Sequence, residues 1–195
     1  MSKTKPIIGI STGDPNGIGV EVILKCFSDK RMFDFMTPVV FSNYELVKAQ
    51  AVHFNLKVGL NNLSDFKNLK PNSLNIYEAS KGKFNLDFGK SEESGGQLSR
   101  ESLTTASSFL KIKKIDALVT APINKKNILH ESFDFMGHTD FFNKTFVGEA
   151  MMFMVSQDLK IALLTEHIPI DKITENISKD LIEKKIKTID MSMKK

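Results

Sequence analysis

Short runs of Ile, Val, Leu and Phe, nearly unbroken by polar residues, alternate along the chain with segments whose apolar positions recur every three or four residues. Runs of the first kind suit strands covered on both faces and segments of the second kind suit amphipathic helices. Their alternation predicts an α/β fold, a parallel sheet with crossover helices. Strands are expected at Pro6–Ile10, Val39–Phe41, Leu74–Tyr77, Ala117–Thr120, Met151–Val155 and Ile161–Thr165. Helices are expected at Ile18–Ser28, Tyr44–His53, Gly96–Lys111, Thr139–Phe146 and from Ile170 onward. In the first helix Val20, Ile23, Leu24 and Phe27 form one apolar stripe. In the last stretch Ile173, Ile177, Leu181, Ile186 and Ile189 recur at mostly four-residue steps, and Ser178 marks a point where one helix can end and another begin. Residues 61–73 and 81–96, rich in turn formers, read as loops. No glycine cap, turn signal or strand follows the final helix, so a truncated end is expected.

Composition narrows the class. With 195 residues and 41% hydrophobic content the chain can bury a real core, and its length fits one large domain or slightly more. No apolar run approaches the ~20 residues of a membrane span, and the opening MSKTKPIIGI lacks a secretory apolar stretch, which predicts a cytoplasmic protein without membrane contact. Cys26 is the single cysteine, so an internal disulfide and a cysteine-based metal cluster are both excluded. The net charge of +4 invites a nucleic-acid partner, but Arg31 and Arg100 are the only arginines, Trp is absent and there are two Tyr. Bidentate forks and stacking platforms are therefore scarce, and no nucleic-acid partner is expected.

Four segments could carry chemistry. In IIGISTGDPNGIGVE a strand runs through Gly13, Gly17 and Gly19 into a helix. That geometry suits an anion, yet the spacing matches neither GxGxxG nor the Walker loop, and a tight connection with Asp14 capping and Pro15 fixing the turn is favoured. In ALVTAPINKK, Lys125 follows a strand end, where a lysine can hold a phosphate or carboxylate; a solvated helix lysine is the plainer reading. FMGHTDFF sets His138 and Thr139 in an apolar rim, which suits a pocket floor equally with a core histidine and a capping threonine. In IALLTEHIPI, Glu166 and His167 stand just past a strand, although no HxH or HxxxH spacing joins His167 to His53, His130 or His138.

Taken in order, STGDPNGIGVE, LVTAPINK, GHTDFF and LLTEHIPI resemble the 4-hydroxythreonine-4-phosphate dehydrogenase family of pyridoxal phosphate biosynthesis. The likeness runs over essentially all 195 residues and covers only the first part of the family's length. It implies an isocitrate-dehydrogenase-like, two-domain, three-layer α/β/α fold, here truncated, with residues 1–122 in a first domain and 123–195 starting a second. It further implies a homodimer that uses NAD and a divalent cation (zinc, magnesium or cobalt), with a small phosphorylated substrate. Position by position, the substrate-holding pair matches His138 and Thr139, and the first metal-binding histidine matches His167. The family's other two metal histidines, and most contacts to phosphate and NAD, lie beyond Lys195. No catalytic base and no NAD-binding residue is identified. The resemblance predicts oxidation of 4-hydroxythreonine 4-phosphate followed by decarboxylation, with this chain inactive by itself. His138, Thr139 and His167 are expected to share a cleft, with the turn from Asp14 to Gly19 on its rim or in a neighbouring pocket. The alternatives are a dehydrogenase for another diol or a phosphorylated sugar acid, and a non-catalytic truncated remnant.

Overall fold

A computed structural model describes residues 5–82, 84–130, 133–135, 137–148 and 150–194. Met136, in the FMGHTDFF segment, lies outside the described residues, as do residues 1–4 and Lys195.

The apolar runs become strands whose side chains alternate between two cores. β1 (Ile7–Ser11) is followed by α1 (Gly19–Ser28), the short α2 (Met32–Phe35), β2 (Thr37–Ser42) and α3 (Tyr44–His53). Next come β3 (Leu60–Leu63), a 3-10 turn at Phe66–Asn68, β4 (Leu74–Glu78), α4 (Glu93–Lys111), β5 (Ala117–Thr120) and the short α5 (Lys125–Ile128). The five strands form one sheet in the order β3-β4-β2-β1-β5, and every neighbouring pair is parallel. Along β2, Val40 joins a core with Val20, Leu24 and Phe27 of α1 and Val47 of α3. Its neighbours Val39 and Phe41 turn to the opposite core, with Leu63, Ala106 of α4 and Ile115. This two-residue alternation places α1 and α3 on one face of the sheet and α4 on the other, three layers in all.

The chain separates into two compact units, Met1–His138 and Thr139–Lys195, and the boundary expected at residue 122 falls inside the first. The division passes through α6 (His138–Thr145). The second unit continues with β6 (Phe153–Val155), β7 (Lys160–Ala162), a 3-10 turn at Ile170–Lys172, α7 (Ile173–Asn176) and α8 (Lys179–Met193). Ser178 caps α8 as its sequence position suggests, its side chain accepting from the Leu181 N–H at 3.1 Å.

Three expectations need correction. β6 and β7 pair antiparallel, and Met154, Val155 and Ile161 are exposed, so they are not covered parallel strands. The expected strands Met151–Val155 and Ile161–Thr165 had the continuous apolarity of a covered pair; a Ser156 N–H bond to the Leu159 carbonyl at 2.8 Å instead closes a hairpin between them. β3 starts at Leu60 and runs into the stretch read as a loop, because its Asn61 and Asn62 mask the strand pattern. Asn61 is buried, and its amide donates to Asn75 Oδ1 at 2.8 Å, so the polar residue is satisfied inside the sheet. Finally, α4 starts at Glu93, ahead of the two glycines that the sequence reading placed outside it or at its first position.

Candidate active site

Ligands of parallel α/β sheets gather at the carboxyl ends of the strands where the strand order reverses. In this sheet that point lies between β1 and β5, the strands that feed the glycine turn and the PINKK segment. Their ends are tied together: the Ala121 N–H donates to the Ser11 carbonyl at 3.0 Å. Behind them Ser102 of α4 accepts from the Thr12 N–H at 2.9 Å and donates to the Phe41 carbonyl at 2.5 Å, so one buried hydroxyl joins the ends of β1 and β2.

The glycine turn is a packing junction. A Cβ on Gly13 would lie 2.5 Å from the Pro122 carbonyl carbon and 3.2 Å from the Ile123 nitrogen, so the β1 and β5 loops meet backbone to backbone. At Gly96 of α4 the same construction meets the Asn127 carbonyl carbon at 2.6 Å. Asp14 is buried; one carboxylate oxygen accepts from the Asn16 N–H at 2.9 Å and the other from the Asn127 side-chain amide at 3.0 Å. Asn16 in turn accepts from the Asp87 N–H at 2.9 Å, and buried Gln50 donates to the Pro15 carbonyl at 2.8 Å. Asp14 closes the tight connection as an Asx turn and reaches across to α5, while the cap position of α1 is Ile18, with no side-chain hydrogen bond.

The PINKK segment is held from two sides. Asn124 caps α5, accepting from the N–H groups of Lys126 and Asn127 at 3.1 and 3.4 Å. Arg100 of α4 donates to the carbonyls of Asn127 and Ile128, both at 3.2 Å. Lys125 is exposed, which agrees with the plainer of its two readings. Neither Arg100 nor Asn127 was singled out from sequence. Their partners lie 27 and 113 positions away, and no local pattern signals such contacts.

His138 and Thr139 stand together in the first turn of α6, so the threonine is part of the helix and not its cap. His138 is half-buried, and that burial pushes its imidazole below the ordinary histidine range. Thr139 is exposed. Within the second unit, His167 follows β7 in an exposed loop with φ of 55°, a left-handed backbone rarely adopted by non-glycine residues. Glu166 beside it accepts from the Met152 N–H at 3.3 Å.

A divalent cation needs about three protein donors when it serves catalysis. Among the described residues no group of three or more His, Cys, Asp or Glu side chains could hold one. His167 is a chemically suitable donor, but these residues do not make up a complete metal site.

The first unit is an open parallel α/β sheet, the architecture in which ligand sites form at strand carboxyl ends. A family model described as pyridoxal phosphate biosynthetic protein PdxA matches residues 34–195, and the chain belongs to that family. A 4-hydroxythreonine-4-phosphate dehydrogenase from Bacteroides thetaiotaomicron is 31% identical over 188 residues, covering 95% of this chain and 52% of the relative. Relatives from Clostridium botulinum that carry the name of a D-threonate 4-phosphate dehydrogenase are 23% identical over 193 residues, 93% of this chain and 56% of theirs. The solved 4-hydroxythreonine-4-phosphate dehydrogenase from Klebsiella pneumoniae superposes with a TM-score of 0.87 at 20% identity, over 100% of this chain and 60% of that one. That from Burkholderia phymatum gives 0.86 at 23%, over 95% and 57%. These superpositions establish the α/β fold expected from sequence. The chain spans about half the length of the curated relatives it matches.

Proposed function

We propose that this chain supplies the substrate-orienting part of an NAD-dependent 4-hydroxythreonine-4-phosphate dehydrogenase acting in pyridoxal phosphate biosynthesis. The observation that carries the reading is the family match over residues 34–195, which includes the segments bearing His138, Thr139 and His167. In the proposed reaction the substrate's secondary alcohol gives a hydride to the nicotinamide and its hydroxyl proton to a general base. The 3-oxo acid so formed then loses carbon dioxide.

His138 and Thr139 bind and orient that substrate. Burial favours the neutral His138 imidazole, which offers a substrate oxygen a hydrogen bond from one ring nitrogen. The Thr139 hydroxyl, exposed one residue on, adds a second contact. Both stand in the first turn of α6. Such orientation can account for several kcal/mol of a reaction barrier, on the order of the gains from fixing reactants in place. His167 would serve as one donor to a divalent cation. Among the described residues the donor set stops short of a complete site. The active form is proposed to be a homodimer.

D-threonate 4-phosphate is the second candidate substrate, favoured by the Clostridium botulinum relatives. Both compounds carry a phosphate and a hydroxy acid, so the test is a side-by-side titration followed by NMR at His138 and Thr139. Saturable shifts at both residues with 4-hydroxythreonine 4-phosphate, lost in His138→Ala, are expected. Tighter binding of D-threonate 4-phosphate would move the assignment to that substrate, and no shift with either would overturn the orienting role.

A further inference from the structure

Four described non-glycine residues hold a positive φ: Asn55, Asn72, Lys113 and His167. Two of them close helices. Behind Asn55 the Leu56 N–H reaches the Ala51 carbonyl at 2.9 Å, and behind Lys113 the Lys114 N–H reaches the Phe109 carbonyl at 2.9 Å. These are the bonds with which a left-handed residue ends a helix. Asn72 lies in the turn before β4, and asparagine tolerates that geometry better than most residues. His167 differs from all three, since it ends no helix, is not an asparagine, and stands between β7 and Pro169. Its conformation carries a steric cost that local structure does not explain, and such outliers persist only where surrounding contacts over-determine them.

The contacts available to do so converge on one residue. Met152 takes the Leu163 N–H on its carbonyl at 3.3 Å and gives its own N–H to Glu166 Oε1 at 3.3 Å. The segment after β7 is thus clasped at both ends against the residue preceding β6, and His167 follows the second clasp directly. We propose that Glu166 is a positioning residue whose carboxylate, by holding the Met152 N–H, fixes His167 in its left-handed conformation and so presents its exposed imidazole to a ligand. The functional consequence rests on the reading of His167 as a cation donor; the conformational claim stands on the geometry alone. An imidazole held this way would lose little freedom on meeting a cation, which is how supporting hydrogen bonds raise a donor's effectiveness.

NMR on the isotopically labelled 195-residue chain tests it, with Glu166→Gln and Glu166→Ala compared to the parent. The sign of φ at His167 is read from its HN–Hα coupling and intraresidue NOE, and the clasp from exchange of the Met152 amide. In the parent and in Glu166→Gln, which keeps an acceptor oxygen, a positive φ and a protected Met152 amide are expected. Glu166→Ala should raise Met152 exchange by about tenfold, the factor an ordinary hydrogen bond carries, and return His167 to negative φ. An unprotected Met152 amide in the parent itself, or an unchanged His167 in Glu166→Ala, would overturn the proposal. Zinc chloride titrated into the same samples separates the two claims. Zinc should shift the His167 ring signals in the parent and in Glu166→Gln, and several-fold more should be needed in Glu166→Ala. A His167 ring indifferent to zinc in the parent would overturn the donor reading while leaving the positioning result in force.

Discussion

Replacing Gly13 with alanine should cost this protein a large part of its stability. The added Cβ would overlap the Pro122 carbonyl oxygen and stand 2.5 Å from its carbonyl carbon, where ordinary van der Waals contact begins at 3.4 Å, so the Pro122 peptide must retreat by well over ~0.9 Å. The obstacle is backbone, not the swinging end of a side chain. Such a retreat strains the Ala121 N–H bond to the Ser11 carbonyl, 3.0 Å long at the junction of β1 and β5. Overpacking costs roughly 1–3 kcal/mol and a lost buried hydrogen bond roughly 1–3 more, against a gain of at most about 1 from stiffening the unfolded chain. A net loss of about 3–4 kcal/mol follows, or a fall of about 2 M in urea midpoint at an ordinary denaturant slope of about 2 kcal/mol per molar. The chain contains no tryptophan, and its two tyrosines, Tyr44 and Tyr77, both lie in the first unit, so intrinsic tyrosine fluorescence reports that unit's unfolding alone. Gly137→Ala, with nothing within 4 Å of the new methyl, is the matched control and should move the midpoint little. A Gly13→Ala midpoint within experimental error of the parent would refute the packing argument and reopen the turn as a ligand cradle.

Three further outcomes are expected. Ser178→Ala removes the α8 cap and should lower local helix stability by about 1 kcal/mol, read as faster amide exchange at Leu181 and its neighbours. Burial lowers the folded-state pKa of His138, so the unfolded chain binds the proton more tightly. Its contribution is therefore complete above the unfolded value of about 6.5 and declines as pH falls from there through the folded value. Urea midpoints across that window should slope in the parent and flatten in His138→Gln; equal slopes would contradict the burial argument. His167→Gly should relieve backbone strain worth about 1 kcal/mol and slow exchange of the β6 and β7 amides, even though the imidazole is lost.

Ala117–Thr120 and Tyr44–His53 stand at the bounds the pattern predicts, although β5 is exposed at Ala117 and Val119 and is not covered on both faces. β3 was hidden because Asn61 and Asn62 interrupt the apolar run, and Asn61 is tolerated in the sheet only through its bond to Asn75. The β6–β7 hairpin was misread because apolarity alone does not state strand direction or whether a face is covered. At the site, the glycine turn could be recognised but not its use. Its meaning lies in the approach of Pro122 and in the Asp14 to Asn127 bond, both contacts between residues far apart in sequence. The four motifs in register revealed the family, whereas the clasp at Met152 could be seen only once the two strands were folded.

The central proposal is that this chain carries the substrate-orienting pair and one cation donor, with no complete cation site among its described residues. The direct measurement is absorbance at 340 nm on mixing the purified 195-residue chain with NAD, 4-hydroxythreonine 4-phosphate and zinc, magnesium or cobalt, beside the Bacteroides thetaiotaomicron relative. The relative should produce NADH and this chain none with any of the three ions, because among the described residues no set of donors can hold a catalytic cation. NADH formation by this chain at an ordinary dehydrogenase rate, abolished by a chelator, would contradict the account.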